Sequence, residues 1–498
     1  MMFHIVGSHL CPNTIYAITK CKDAGIPFGF KDLSASLKDL KYFLALHEHD
    51  GIYDPYRNMS GKEDYEENGK IGLPCFVFED GFKTLDLSEA MKKAKESMEE
   101  KQMKYNFETV HKRFHTGSKK WDELSANGVG EKEDIIPFSV ADMEFVTAPE
   151  IVDAIKDELD HSIMGYANPT KEYLDTVCRW MKEHHGWDAK PEWILPAHGI
   201  IDAFFDAVKI YTKEGEGVML MTPVYYPMYH AVNYNNRVLV DCALVEKGNS
   251  YQIDFEDFER KASDENTKML ILCSPHNPCG RVWTREELEK IGEICLKHHV
   301  LVVSDEIHFD LIMPGHKHIV FASLSEEIAD NCIVCTAPSK TFNLAGLQTS
   351  NIFIPNPDLR DKFFQALKRC NPNPKCNILG YRACEAAYKH CGQWLEEAIS
   401  VIDTNRKLVT DFMTKEFPQI KVKELEATYL LWMDWRGLGI DSKELERINH
   451  EETRLFFDEG YVFGAQGDGF ERWNLACPTR YVEEALERMK NTYKKYVK

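Results

Sequence analysis

The chain is short of several things, and each shortage narrows its function. Nowhere in its 498 residues do about eighteen apolar residues run together, so no membrane-spanning helix is expected. The N-terminus, Met1-Met2-Phe3-His4-Ile5-Val6-Gly7, has no basic flank and no long apolar stretch, so no secretory signal is expected. Positive charge is in deficit. The formal net charge of −20 argues against nucleic acid and against an anionic membrane as partners. The fifteen cysteines lack the regular spacing of a disulfide framework, which suits small, reduced core residues of a cytoplasmic protein. Internal repeats and low-complexity tracts are also missing. Paired histidines occur at His47-Glu48-His49-Asp50, His184-His185, His298-His299 and His316-x-His318. Adjacent and alternate spacing does not place ligands on one helix face, so these are expected at the surface or at helix ends, and no metal is expected.

What remains is ordinary in bulk, with 44% hydrophobic and 28% charged residues, the profile of a globular protein that meets small molecules. Ser88 to Tyr105 is rich in Lys, Glu and Met at helical spacing, which reads as a closing helix that runs into a connector. The expected domains are 1–102 and 103–498. The second is too long for one simple core. It should split into a large lobe at about 150–385 and a small lobe made of 103–149 plus 386–498.

In the first block, Phe3 to Gly7 reads as a strand, and Cys11-Pro12-Asn13-Thr14 opens a helical pattern through Ile15, Ala17, Ile18 and Cys21. A second strand and helix fit Pro27 to His47, and Gly72 to Gly81 reads as a strand and turn. Cys11 therefore stands at a helix N-terminus, where an anion is favoured and a thiol can be activated. This region resembles the glutaredoxin-like branch of the thioredoxin fold, with Leu73-Pro74 where that fold keeps a cis proline. The resemblance makes Cys11 a candidate redox thiol. Thr14 stands where a second cysteine would complete a dithiol pair, so a Cys-x-x-Cys mechanism is excluded. Cys75 is an unusual candidate partner.

In the second block, helical patterns alternate with unbroken apolar strands, such as Met269 to Cys273 and Val300 to Val303. That is the signature of a parallel α/β sheet covered on both faces. Ligands of such sheets sit beyond the carboxyl ends of the strands, where Asn277 and Asp305 fall. Trp193 to Pro196 leads through Gly199 into Ile201, Phe204, Phe205 and Val208 at helical spacing. The amides of Gly199, Ile200 and Ile201 then make an anion site without a basic side chain. Tyr225 follows another strand and could stack on a ring. Lys340 sits in Ala337-Pro338-Ser339-Lys340-Thr341-Phe342-Asn343. A phosphate cradle, an amide, an acid and an amine, in this order along the chain, are the parts needed to hold pyridoxal 5′-phosphate. Asp305 would hold the ring nitrogen as a cation, and His308 could hydrogen-bond and orient that carboxylate.

With those residues in place, the second block resembles the fold-type I, class I/II aminotransferase superfamily. Within it, the block is similar to the bacterial cystathionine β-lyase (C–S lyase) subfamily. The narrower marks are Thr116-x-Ser118-x-Lys120-Trp121-Asp122, Val140-Ala141-Asp142-Met143-Glu144-Phe145, Pro275-His276-Asn277-Pro278, Gly280-Arg281-Val282-Trp283 and Arg472-Trp473-Asn474-Leu475-Ala476-Cys477-Pro478. The resemblance implies that Lys340 carries the cofactor covalently and moves protons, with Tyr225 as its catalytic companion against the ring. It implies that Asn277 meets the ring oxygen and that Ser339 joins the backbone cradle at the phosphate. Tyr166 would reach the phosphate of the other subunit in a homodimer. Arg472 would grip the substrate carboxylate, with Ala141 beside it. The implied reaction is α,β-elimination from cystathionine or a related S-substituted cysteine to a thiol, pyruvate and ammonia. An aminotransferase, or a regulatory protein built on the same fold, are the alternatives. Two positions depart from relatives: Ser139, where many have an aromatic residue, and Gln348, where many aminotransferases carry a phosphate-binding arginine.

Overall fold

The structure, a computed structural model, describes residues 3–57, 71–99, 103–126, 134–161, 163–370 and 376–496. The chain divides into two compact units, Met1–Lys104 and Tyr105–Lys498. The break expected near residue 102 lies outside the described residues.

The first unit is built on strands β1 (Phe3–Gly7), β2 (Phe28–Asp32), β3 (Cys75–Phe78) and β4 (Lys83–Thr84), with helices α1 (Pro12–Asp23), α2 (Leu37–His49) and α3 (Leu87–Glu99). The sheet order is β2-β1-β3-β4. β1 runs parallel to β2 and antiparallel to β3, and β3 runs antiparallel to β4. Phe3, Ile5, Phe76 and Phe78 bury the inner face against Ala17 and Cys21 of α1. Ser36 caps α2 by accepting the Asp39 N–H at 3.2 Å, a local bond that favours a helix start. The Leu73–Pro74 peptide is cis.

The second unit carries a seven-stranded sheet. Its strands are β5 (Ile194–Ala197), β6 (Gly217–Leu220), β7 (Val238–Asp241), β8 (Thr267–Cys273), β9 (Leu301–Asp305), β10 (Cys332–Thr336) and β11 (Ser350–Phe353). Their order is β5-β11-β10-β9-β8-β6-β7. Neighbours from β10 to β7 are parallel, and β11 alone runs against both of its neighbours. Strands β6, β8, β9 and β10 are buried almost throughout, which explains their unbroken apolar runs. Helix α4 (Ile200–Tyr211) packs on one face through Ile200, Ala203, Phe204 and Val208. Helix α5 (Arg285–Lys297) starts at a reciprocal capping box between Thr284 and Glu287, which satisfies two amides that the helix itself leaves open. A second sheet, of order β12-β13-β15-β14, follows in the chain: β12 (Lys421–Val422), β13 (Leu430–Asp434), β14 (Asp458–Glu459) and β15 (Phe470–Asn474).

His318, expected at the surface or at a helix end, is buried, and His185 does end the helix Lys171–His185 but with its side chain turned inward. His185 Nε2 lies 2.7 Å from Asp310 Oδ1, and His318 Nε2 lies 2.7 Å from Glu306 Oε2. Each supplies the partner that a buried carboxylate requires; the pairs are 125 and 12 residues apart in sequence. Among the described residues, no helix is long and apolar enough to cross a membrane, and the cysteines are free thiols.

One close approach bears on the site. A Cβ at Gly380 would come within 1.9 Å of Thr349 Oγ1 and 2.9 Å of the Leu347 carbonyl oxygen. Gly380→Ala is therefore expected to destabilise the protein by about 1–3 kcal/mol. Chemical denaturation checks this, and an unchanged midpoint would contradict it.

Candidate active site

Parallel strands deliver the chemistry to one place. Asp305 is the last residue of β9, and Asn277 follows β8 by four residues. Lys340 lies on the short helix Pro338–Thr341, just past β10, and Tyr225 caps the helix Tyr226–Asn233 after β6. Gly199 caps α4 after β5. Because these strands share one direction, their carboxyl ends open on the same edge. There Ala141, Gly199, Ile200, Ile201, Tyr225, Asn277, Asp305, His308, Ser339 and Lys340 line a single cavity of about 310 Å³.

The cavity is electrostatically hard on its own groups. Burial pushes the Lys340 amine down from 10.5 to about 8, with Arg472 and Lys120 adding to the effect. Burial pushes the Asp305 carboxyl up to about 7, and the neighbouring Glu306 pushes the same way. The Ile307 N–H donates to Asp305 Oδ1 at 3.2 Å and offsets part of that cost. Burial also raises the Tyr225 phenol and holds His308 neutral. An amine that is easily neutral can act as nucleophile and base. A dry carboxyl is stabilised as an anion by a cation placed beside it.

Arg472 is almost fully buried. Its Nη1 donates to Asn277 Oδ1 at 2.8 Å, and its Nη2 pairs with Asp458. The guanidinium carbon lies 4.6 Å from the Phe463 ring centroid. Lys340 Nζ donates to the Ala141 carbonyl, which also accepts from the Tyr429 hydroxyl at 2.9 Å. Val140, just before it, has φ of +52°. For a β-branched residue this is a strained conformation, costing on the order of 1–3 kcal/mol. Asn474 restrains the strap by donating to the carbonyls of Val140 at 2.8 Å and Asp142 at 2.7 Å. Beneath it, Lys120 Nζ lies 2.9 Å from Asp142 and 3.1 Å from Glu144, and Arg113 Nη2 lies 2.6 Å from Glu144. Burial opposes charge here, yet Lys120 and Arg113 together hold Asp142 below the usual carboxylate range.

Two expectations, on His308 and on Cys75, read differently in the structure. His308 lines the cavity, but its Nδ1 has no hydrogen-bond partner among the described residues; Asp305 is oriented by the Ile307 amide instead, because a short turn puts that N–H nearest. Tyr166 is fully exposed and lies apart from the cavity, in a separate hollow with Ile163, Tyr381 and Arg382. Cys75 is fully buried, and burial pushes its thiol up, which makes it a poor redox partner. Cys11, at the start of α1, is half-buried and its side chain makes no cap bond. Gln348 lines the cavity with φ of +47°, so the lysine is the single Lys or Arg among the described lining residues.

Sequence reading missed several supports. Cys273 Sγ accepts the Asn277 N–H at 3.3 Å. Asp310 accepts from Trp180 Nε1 at 3.0 Å and from Thr341 Oγ1 at 2.7 Å, tethering the turn that bears Lys340. The signal for Asp310 was available, since it stands five residues after Asp305 where the strand has ended, but its partner Trp180 lies 130 residues upstream and Thr341 lies 31 residues downstream. The strap and ion cluster were visible only as motif spellings.

These residues fit pyridoxal 5′-phosphate. The first amides of α4 have no carbonyl within their own helix, a Cβ at Gly199 would meet only open space, and Ser339 lines the same cavity. The unpaired His308 nitrogen, the amine and the carboxyl face the remainder of the cavity. A model of the family described as aminotransferase class I and II matches residues 133–489. Cystathionine beta-lyase PatB of Bacillus subtilis is 43% identical, over 77% of this chain and 99% of that protein. The Escherichia coli protein MalY is 30% identical, over 78% of this chain and 98% of its own length. The crystal structure of cystalysin from Treponema denticola, which contains a pyridoxal 5′-phosphate cofactor, aligns with a TM-score of 0.77 and 46% identity. It covers 79% of this chain and all of that one. The chain belongs to the class I and II aminotransferase family of pyridoxal phosphate-dependent proteins, in the company of cystathionine β-lyase-like homologues.

Proposed function

We propose that the protein is a pyridoxal 5′-phosphate-dependent carbon–sulfur β-lyase. It cleaves cystathionine or related S-substituted cysteines to a thiol, pyruvate and ammonia. The carrying observation is the single cavity lined by a half-buried, readily neutral Lys340 together with Asp305 and Asn277, in a chain 43% identical to a cystathionine β-lyase. The cofactor supplies an electron sink that makes the substrate Cα–H acidic. Lys340 attaches it covalently and, when freed, takes the Cα proton. Asp305 keeps the ring nitrogen protonated, Asn277 bonds the ring oxygen, and Tyr225 covers a ring face. The amides of Gly199, Ile200 and Ile201, with Ser339, hold the phosphate. Arg472 receives the substrate carboxylate through a planar fork. The Cβ–S bond breaks with its electron pair on sulfur, which leaves as the thiol. Water then converts the three-carbon remainder to pyruvate and ammonium.

An aminotransferase would share this cavity, but Gln348 in place of a phosphate-binding arginine weighs toward the lyase reading. The test is release of pyruvate and ammonia without added keto acid. Lys340→Ala should lose the visible cofactor band and about 10²–10⁴-fold in turnover. Transfer that requires a keto acid, or pyruvate release undiminished in that variant, would reject the reading.

Covalent capture of the cofactor by apoprotein needs a neutral Lys340 amine and a charged Asp305. The amine loses its proton as pH rises through about 8, and the carboxyl ionises as pH rises through about 7. Capture should therefore slow by about tenfold per pH unit between 8 and 7, steepen to about a hundredfold per unit below 7, where Asp305 is protonated as well, and level off above 8. Stopped-flow absorbance measures this, and a flat profile from pH 6 to 9 would contradict it.

The chain acts as a homodimer in this reading, with Tyr166 reaching the partner's phosphate. The support is the full exposure of Tyr166 beside Ile163 and Met164, which are also exposed. Sedimentation should give twice the 57.5 kDa chain mass; a single chain mass would remove the proposal.

The first unit is proposed to be a glutaredoxin-related thiol domain, on the strength of its β2-β1-β3-β4 sheet and a cysteine at the strand-to-helix junction. Cys11 is its reactive thiol, and a cytoplasmic setting keeps that thiol and the other cysteines reduced. Iodoacetamide should label Cys11 ahead of the other thiols of the folded chain; labelling no faster than that of free cysteine would end the assignment.

A further inference from the structure

The hairpin that presents Arg472 has a second chemical face. In β14 and β15, Asp458 pairs in register with Arg472, and Glu459 pairs with Glu471. Successive strand residues point to opposite faces. The Asp458–Arg472 ion pair therefore uses one face, and two carboxyl groups oppose each other on the other face. Like charges directly opposite are unfavourable, so such a pair calls for a counter-charge.

That counter-charge is incomplete in protein groups. Helix α6 is Ser442–Arg447, and a π-type turn follows at Ile448–Thr453. They place Glu446 and His450 four residues apart, on one side of the segment. The ligand atoms of Glu446, His450 and Glu459 all lie within 4.8 Å of one another. His450 is stacked on Phe456 at 4.3 Å, which fixes its ring, and its Nε2 lies 3.2 Å from Glu459 Oε1. Among the described residues that histidine is the one ion-pair partner of Glu459. Glu446 Oε2 meets Lys443 Nζ at 3.0 Å and the Tyr461 hydroxyl at 3.1 Å. The Lys443 side chain is exposed and also donates to the Tyr461 hydroxyl at 2.9 Å. Glu471, only 2% exposed, has no side-chain hydrogen bond or ion pair among the described residues. A nearly buried carboxyl without a partner is costly, and it sits in register against Glu459.

We propose that Glu446, His450 and Glu459, backed by Glu471, form a divalent-cation site. Carboxylate oxygens suit Mg²⁺, Ca²⁺ and Mn²⁺, and an imidazole in the set shifts preference toward a first-row metal. The ligand set is therefore that of a first-row divalent ion, for which paramagnetic Mn²⁺ is the probe. The ion ties the π-type turn to the hairpin from behind, and so steadies Asp458 and the guanidinium it holds on the opposite face. Its role is positional; it stands apart from the cavity residues and takes no part in bond breaking.

Titrating holoenzyme with MnCl₂ while reading the free-ion electron paramagnetic resonance signal tests this directly. The expected result is one ion bound per chain. Glu459→Gln and His450→Gln should each weaken binding at least tenfold, with the cofactor absorbance band and circular dichroism retained. Should either variant fail to fold, Glu446→Gln, on a half-exposed helix position, should show the same loss. No depletion of the free signal, or equal binding by wild type and the folded variants, would overturn the site.

Discussion

Lys340 and Asp305 share a cavity too dry to solvate either charge, and the rest of the second unit is arranged around that constraint. Left to protein groups, burial drives the amine down to about 8 and the carboxyl up to about 7. A pyridine ring whose nitrogen carries a proton relieves the carboxylate, while the lowered amine is already suited to covalent attachment and proton transfer. The parallel sheet makes the juxtaposition possible. Five strands of common direction end on one edge, so residues from distant parts of the chain meet without any single loop being long.

Around this cavity lie supports that fix position rather than perform chemistry. The Val140–Asp142 strap is held from Asn474 and Lys120, and its positive φ at Val140 aims the Ala141 carbonyl at the lysine. The quartet of buried Lys120 and Glu144 with half-buried Arg113 and Asp142 balances two cations with two anions. Removing one member would leave an uncompensated charge, a loss of about 3–5 kcal/mol in comparable buried pairs. Asp310 restrains the turn of Lys340 through Thr341. Arg472 is likewise set before any substrate arrives, since Asn277 and Asp458 each hold one end of its fork. Pre-set donors need little rearrangement on binding.

Much of the site was legible residue by residue. Lys340, Asn277, Asp305 and Tyr225 stand where strands end, and strand ends announce themselves as apolar runs that stop. Gly199 was readable because a helical repeat begins just after it. The buried roles of His185 and His318 were not readable, because each owes its burial to a carboxylate brought close by folding. The same holds for Glu471, whose sequence neighbours Phe470 and Arg472 say nothing of Glu459 across the hairpin. The lack of a hydrogen bond between His308 and Asp305 is a matter of side-chain direction, which spacing does not specify.

By itself the amino-acid order determined the kind of sheet, the edge on which chemistry would gather and the residue types available there. These follow from local periodicity and from where that periodicity breaks, both short-range properties of the chain. Only the tertiary structure decided which charges are dry, which are paired and which face each side chain takes. Those depend on distances between segments hundreds of residues apart, and electrostatic energy in a low-dielectric interior is set by distance and solvent access rather than by position along the chain.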